Sequence, residues 1–334
     1  MIVARTGFAL FALIGAFAFA GGVPLTAQST LHLEREISLP GVEGRIDHLA
    51  ADVTGHRIFV SALGNGTIEI VDLAQGRRTG QIKGLHEPQG VAFSPEKNIL
   101  YVASGGDGSV RSYDSGTLQP LKTVTLGDDA DNLRYDPNKQ KLFAGYGEGA
   151  IAVLDSDLAR SADFKLPAHP ESFQLASGGK RIFVNLPNHK AIASIDLSKN
   201  TANALWAHPT ASANFPMAID EIGKKLFIAC RQPPSLIAFM PDSGQEITHS
   251  TTVGDADDLF YDPARNTVYV IGGEGFVDIV AVHPDGSLES TMHVPTAPGA
   301  RTGLFVPQWN SLLVAAPRRG TREARILVFS VGRP

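Results

Sequence analysis

"DADNLRYDPNKQKLFAGY" fills residues 129–146, and "DADDLFYDPARNTVYVIG" fills residues 255–272. Both read as an acid-rich lead, a short strand ending in Tyr-Asp-Pro, a polar turn and a second strand. Working outward, the second strand recurs as "RIFVSA" (57–62), "ILYVAS" (99–104), "KLFAGY" (141–146), "RIFVNL" (181–186), "KLFIAC" (225–230), "TVYVIG" (267–272) and "SLLVAA" (311–316). A turn precedes each, for example "DVTGH", "SPEKN" and "DEIGK". Before each turn comes another short strand, with Leu49, Val91, Leu133, Phe173, Met217, Leu259 and Gly303 in register, at spacings of 42, 42, 40, 44, 42 and 44. A third strand follows across a Gly turn, as in "NGTIEIVD" and "DGSVRSYD", and a fourth closes most units.

Four short strands every 40–45 residues or so are the mark of a propeller blade rather than of a helical repeat. Asn-Gly and Asp-Gly turns between alternating segments predict antiparallel hairpins. The last unit supplies three strands, and "LHLEREISLP" (31–40) supplies one spare strand at the start. The expected fold is therefore all-β, a seven-bladed propeller spanning 30–334 as a single domain, with the N-terminal strand closing the last blade. Asp136 and Asp262, in the two Tyr-Asp-Pro phrases, are expected to be turn residues.

Ahead of this domain, Arg5 and the apolar run "FALFALIGAFAFA" (8–20) end in Ala18-Phe19-Ala20. A charged start, an apolar stretch and small residues at a cut site predict a signal peptide over 1–20, with an alternative cut after Ala27. The mature chain is expected in the periplasm or secreted, with no membrane span after processing. Cys230 is the sole cysteine, so no internal disulfide forms, and its apolar strand marks it as core filler. A formal charge of −5 without a long Lys/Arg run gives no footprint for nucleic acid, although "APRRGTREAR" (316–325) is locally basic.

The "RIFV", "ILYV" and "TVYV" units, each followed by a Gly-centred turn and a strand ending in Asp, resemble the YVTN-type repeat. The mature chain as a whole resembles the exported, YncE-like seven-bladed propellers, and the resemblance covers all seven units. It implies the fold but does not choose a chemistry, because that superfamily holds binding proteins, lactonases, lyases and quinoprotein relatives. The two tryptophans, Trp206 and Trp309, do not occupy repeated positions. Quinoprotein blades would carry repeated docking tryptophans, so a pyrroloquinoline quinone cofactor is not expected.

In a propeller the first strand of each blade lines the axial channel, so residues at its start surround one mouth. Alignment gives a first column of Asp47, Gln89, Asp131, Glu171, Phe215, Asp257 and Arg301. The next column is His48, Gly90, Asn132, Ser172, Pro216, Asp258 and Thr302. Two positions before the first column lie Arg45, Glu87, Asp129, His169, Ala213, Asp255 and Gly299, with His86 one residue earlier than Glu87. Packing alone would need neither this polarity nor this variety. The ligand-binding candidates are Arg45, Asp47, His48, His86, Gln89, Asp131, Asn132, His169, Glu171, Asp257, Asp258 and Arg301.

Imidazole with carboxylate makes a transition-metal set, for which His48, Asp131, Glu171 and Asp257 are the candidates. An all-oxygen set of Asp131, Glu171, Asp257 and Asp258 would suit Ca²⁺ instead. Arg45 and Arg301 are able to clamp a carboxylate, or to pair with rim aspartates. The expected partner is a small polar molecule or metal ion, and two functions follow. One is binding of such a ligand at the mouth. The other is lactonase-like hydrolysis or elimination, with a rim metal polarising a carbonyl and Glu171 or Asp257 as base.

Overall fold

A computed structural model describes residues 1–2 and 30–332, except 177, 200 and 209, and gives the backbone alone for 201–203. The expected leader, with both of its cut sites, lies almost entirely outside the described residues. Seven four-stranded antiparallel sheets form a ring of blades. The innermost strands are Leu49–Asp52, Pro88–Ser94, Leu133–Asp136, Ser172–Ala176, Ser212–Asp220, Ala256–Asp262 and Thr302–Val306. Leu31–Ser38 pairs antiparallel with Arg325–Val331, as the outermost strand of blade 7. The ring is thus closed by its own N-terminal strand. Among the described residues no helix is long and apolar enough to cross a membrane.

The second strand of each blade is buried along nearly its whole length. Side chains alternate between the two faces of a strand, and here each face meets a neighbouring blade. Ile58 and Val60 pack into the seam with blade 7, whereas Phe59 packs into the seam with blade 2. This is why these strands read as unbroken apolar runs rather than as apolar–polar alternation. Seven such apolar seams, one per pair of adjacent blades, make up the core. Cys230 is fully buried in the seam of blades 4 and 5, which holds its thiol up at about 12 and fits the core role.

Turns are held by aspartates. Asp136 Oδ1 accepts the N–H groups of Asn138 and Lys139, and Asp262 Oδ1 accepts that of Ala264. The residue just before the second strand is left-handed in six blades, at His56, Asn98, Gln140, Lys224, Asn266 and Asn310. A single left-handed residue at that point turns a hairpin tightly, and the Asn side chains tolerate it best. The repeated acid phrase is accordingly turn chemistry at Asp136 and Asp262.

Candidate functional site

Each blade is entered from the mouth of the channel, and the entry is pinned by backbone bonds. The carbonyls of Arg45, Glu87, Asp129 and Asp255 accept from Gly64, Gly105, Gly147 and Gly273, the latter residues standing at the ends of second strands. Glu87, Asp129, Ala213 and Asp255 take left-handed φ angles of 51°, 38°, 59° and 53°. The amides of Asp47, Asp131 and Glu171 then bond to Ser61, Gly145 and Asn185, which sets these three side chains at one level. Asp131 and Asp257 both act electrostatically on Arg45, Asp47 and Glu171, so the acids of distant blades converge on one collar.

The half of the collar on blades 3 and 4 is short of cations. Asp131, His169 and Glu171 each offer one ligand atom, all within 4.8 Å of one another. His169 Nδ1 donates to the Gly147 carbonyl at 2.7 Å, since a carbonyl only accepts. That fixes the tautomer of the neutral ring and leaves Nε2 facing Asp131 Oδ2 at 3.8 Å. Burial opposes charge on His169, but Asp131, the Gly147 carbonyl and Asp129 outweigh it and raise its pKa to about 9. Glu171 has no side-chain hydrogen bond or ion pair among the described residues. Burial, followed by repulsion from Asp131 and Asp257, lifts its carboxyl to about 8.

The half on blades 5, 6, 7 and 1 is paired. Asp257 lies between two guanidinium groups, Arg231 at 2.6 Å and Arg301 at 3.1 Å. Asp255 takes Arg301 at 3.1 Å and Arg231 at 3.5 Å. Arg231 is further fixed by stacking on Phe215, 3.6 Å from the ring centroid. Arg45 pairs with Asp47 at 2.5 Å. Burial raises the Asp47 carboxyl to about 6, with His48 and Arg45 opposing the rise.

The second column mainly stitches blades together. Thr302 Oγ1 donates to the Ile46 carbonyl, and Asn132 Nδ2 to that of Glu171. Asp258 Oδ2 accepts from the Gly303 amide. At Gly90 a Cβ would lie 1.9 Å from the Asp131 carbonyl oxygen, so only glycine fits. His48 Nδ1 lies 3.3 Å from Asp258 and its Nε2 lies 3.6 Å from Asp47. Asn132 Nδ2, 3.1 Å from Nε2, would donate to a neutral ring, whereas the carboxylates favour the imidazolium. Burial also disfavours the charge, but Asp258 and Asp47 prevail and the ring stays protonated to about pH 10. Below the collar runs a channel cavity of about 390 Å³, walled by inner strands and carrying Arg134 and Gln174.

Of the residues expected at the site, Asp131, His169 and Glu171 form one cluster, and Arg45, Asp47, Asp257 and Arg301 belong to the paired half. Gln89 reaches Asp129 at 3.2 Å. His86 is exposed, and its backbone carbonyl is engaged by Gly106 while its ring joins no cluster. His48 and Asp257, expected among the metal ligands, are committed to Asp258 and to the two arginines, and the imidazole beside Asp131 and Glu171 is that of His169. The all-oxygen set is not assembled, because Asp258 turns to His48 and Gly303. Sequence reasoning overlooked Arg231. Its signal was available, because the residues just after the second strands are Leu63, Gly105, Gly147, Pro187, Arg231, Gly273 and Pro317, with one charge among them.

No protein-family model matches this chain, and no curated protein matches it. Among solved structures it is similar to a chain of the Kuenenia stuttgartiensis hydrazine synthase, with a TM-score of 0.72 at 15% identity over 89% of this chain and 99% of that one. It is also similar to a chain in the mitotic checkpoint complex, with a TM-score of 0.76 at 14% identity over 98% of this chain and 99% of that one. At such identities the likeness establishes the propeller fold alone.

Proposed function

We propose that the channel mouth binds a divalent cation through Asp131, His169 and Glu171 and presents it to a small polar ligand. The observation that carries this reading is Glu171, a partly buried carboxyl with no side-chain hydrogen bond or ion pair among the described residues, set beside an oriented imidazole and a second carboxylate. A cation there offsets the repulsion that otherwise keeps Glu171 protonated. One nitrogen and two oxygen ligands suit Zn²⁺ or Mn²⁺ better than Ca²⁺. The leader and the repeat support an exported, YncE-like protein of the periplasm or exterior. Metal content of the purified native protein, against an Asp131→Ala/Glu171→Ala variant, tests the reading. Equal content in the two would end it.

A second reading keeps the cation on Asp131 and His169 and leaves Glu171 as a general base. Its carboxyl, raised to about 8, is near the range useful for proton transfer at neutral pH. The chemistry would be lactonase-like hydrolysis or elimination, with the metal polarising the carbonyl. Turnover of a lactone and ester panel, abolished by chelator and by Glu171→Gln, is the expected result. No turnover of any member with metal supplied leaves the binding function.

A further inference from the structure

Beside the paired half of the collar lies a second cavity, of about 370 Å³, between blades 6, 7 and 1. Its lining includes Arg45, Arg301, Arg318 and Arg319, against the single carboxylate of Asp255. Arg318 is neutralised by Glu43, Arg45 by Asp47, and Arg301 by Asp255 and Asp257. Arg319 is not neutralised. Its Nε donates to the Pro298 carbonyl at 3.2 Å, and it has no carboxylate partner among the described residues. Arg319 is exposed at the rim, and its guanidinium passes close to Gly299, where a Cβ would stand 2.9 Å from Nη2. Gly299 also has a φ of +84°, which glycine adopts freely.

The basic cavity and the acidic cluster share one mouth. Arg45 lines the cavity, and its charge is favoured by Asp131 and Glu171 as well as by Asp47 and Asp257. The mouth therefore carries carboxylates short of cations on blades 3 and 4 and, on blade 7, the one lining guanidinium without a carboxylate partner among the described residues, Arg319. Arginine presents a planar fork of N–H donors that matches the oxygens of a carboxylate or phosphate.

We propose that this cavity is an oxyanion subsite, which takes a carboxylate or phosphate on a ligand whose other end meets the cation at Asp131, His169 and Glu171. The subsite stands on its own observations, and only the two-ended ligand rests on the cation reading given above. The ligand class is a small molecule with an oxyanion at one end and a metal-binding oxygen at the other.

Isothermal titration of the metal-free protein with orthophosphate and, separately, with succinate tests the subsite. Native protein is expected to bind at least one of them, and Arg319→Ala to bind about tenfold more weakly, the scale of one lost charged hydrogen bond. Arg322→Ala is the control, because Arg322 pairs with Glu36 outside the cavity, and it is expected to bind as the native protein does. Preference for phosphate or for succinate distinguishes the two sources of the oxyanion. Undiminished binding by Arg319→Ala, an equal loss in Arg322→Ala, or no binding of either anion at millimolar concentration overturns the subsite.

Mn²⁺ titration reports the cation separately, and Arg319→Ala should bind Mn²⁺ like the native protein. If native protein binds orthophosphate but no Mn²⁺, the cation reading fails and the subsite stands. With Mn²⁺ bound, succinate should bind several-fold more tightly than to metal-free protein. Unchanged succinate affinity would overturn the two-ended ligand.

Discussion

His48 of blade 1 and Asp258 of blade 6 stand 3.3 Å apart, on blades that have blade 7 between them in the ring. The contact is at once a tie across the ring and a proton store. Burial opposes the charge, but Asp258 and Asp47 lift the imidazole from its ordinary 6.5 to about 10. Glu171 moves the same way, from 4.5 to about 8, through burial and like charge. A group that holds its proton more tightly when folded adds stability that is complete below its unfolded pKa. That stability is lost as pH rises through the folded value. Metal-free protein should therefore lose stability first across the Glu171 window and then up to about pH 10, by on the order of a few kcal/mol in total. Urea midpoints taken across this range check it. A midpoint constant or climbing between about pH 6 and pH 9 contradicts the assignment.

Cation binding should have the opposite pH dependence. Ligation needs Glu171 ionised and His169 neutral, and without metal these titrate at about 8 and about 9. Affinity for Zn²⁺ or Mn²⁺ should rise steeply with pH up to about 8, with about two protons released per ion at neutrality. Calorimetry in buffers of different ionisation enthalpy counts those protons. Glu171→Gln should weaken binding by roughly 10–100-fold and release about one proton fewer. Full affinity in that variant would remove Glu171 from the ligand set.

The two copies of Tyr-Asp-Pro should differ in cost when their aspartates are cut back. Asp136 accepts two backbone amides of its turn, so Asp136→Ala should lose about 1 kcal/mol. Asp262 also holds Arg265 at 2.7 Å and Tyr269 at 3.3 Å, in a site where Arg265 is nearly buried. Asp262→Ala leaves that guanidinium without its carboxylate, on the Gly332 carbonyl and the Asn310 side chain alone, and should cost about 3 kcal/mol. Neither change should alter cation binding. Equal denaturant midpoints for the two variants would show that the Arg265 pair contributes nothing.

Ile37, on the N-terminal strand, is buried in the seam between blades 7 and 1. Ile37→Ala should destabilise the protein by about 2–4 kcal/mol, like a cavity in any well-packed core. Leu33 on the same strand is half exposed, and Leu33→Ala should cost under about 1 kcal/mol. Thermal or urea unfolding of the pair tests whether this strand is an integral part of the ring.

The blades were legible because their second strands must satisfy two neighbours at once, which writes an apolar run at regular spacing. The collar was legible as positions, since blade entry always points to the mouth. Partner choice was not legible. Asp257 and Asp131 occupy the same column, yet Asp257 is neutralised by Arg231 while Asp131 is left with His169. That difference depends on which blades stand side by side and on a single residue, Arg231, after a strand whose equivalents are mostly Gly or Pro. His48 likewise reads as a ligand until the fold brings Asp258 to it.

Closure by the first strand also sets a schedule. Leu31 is synthesised 300 residues before its partner Val331, so the circle has no latch across that interval. Until then blade 7 is missing its outermost strand and the seam to blade 1 lies open. Contacts between such remote stretches form slowly, and the unlatched intermediate is where a helper protein or a protease would find its grip.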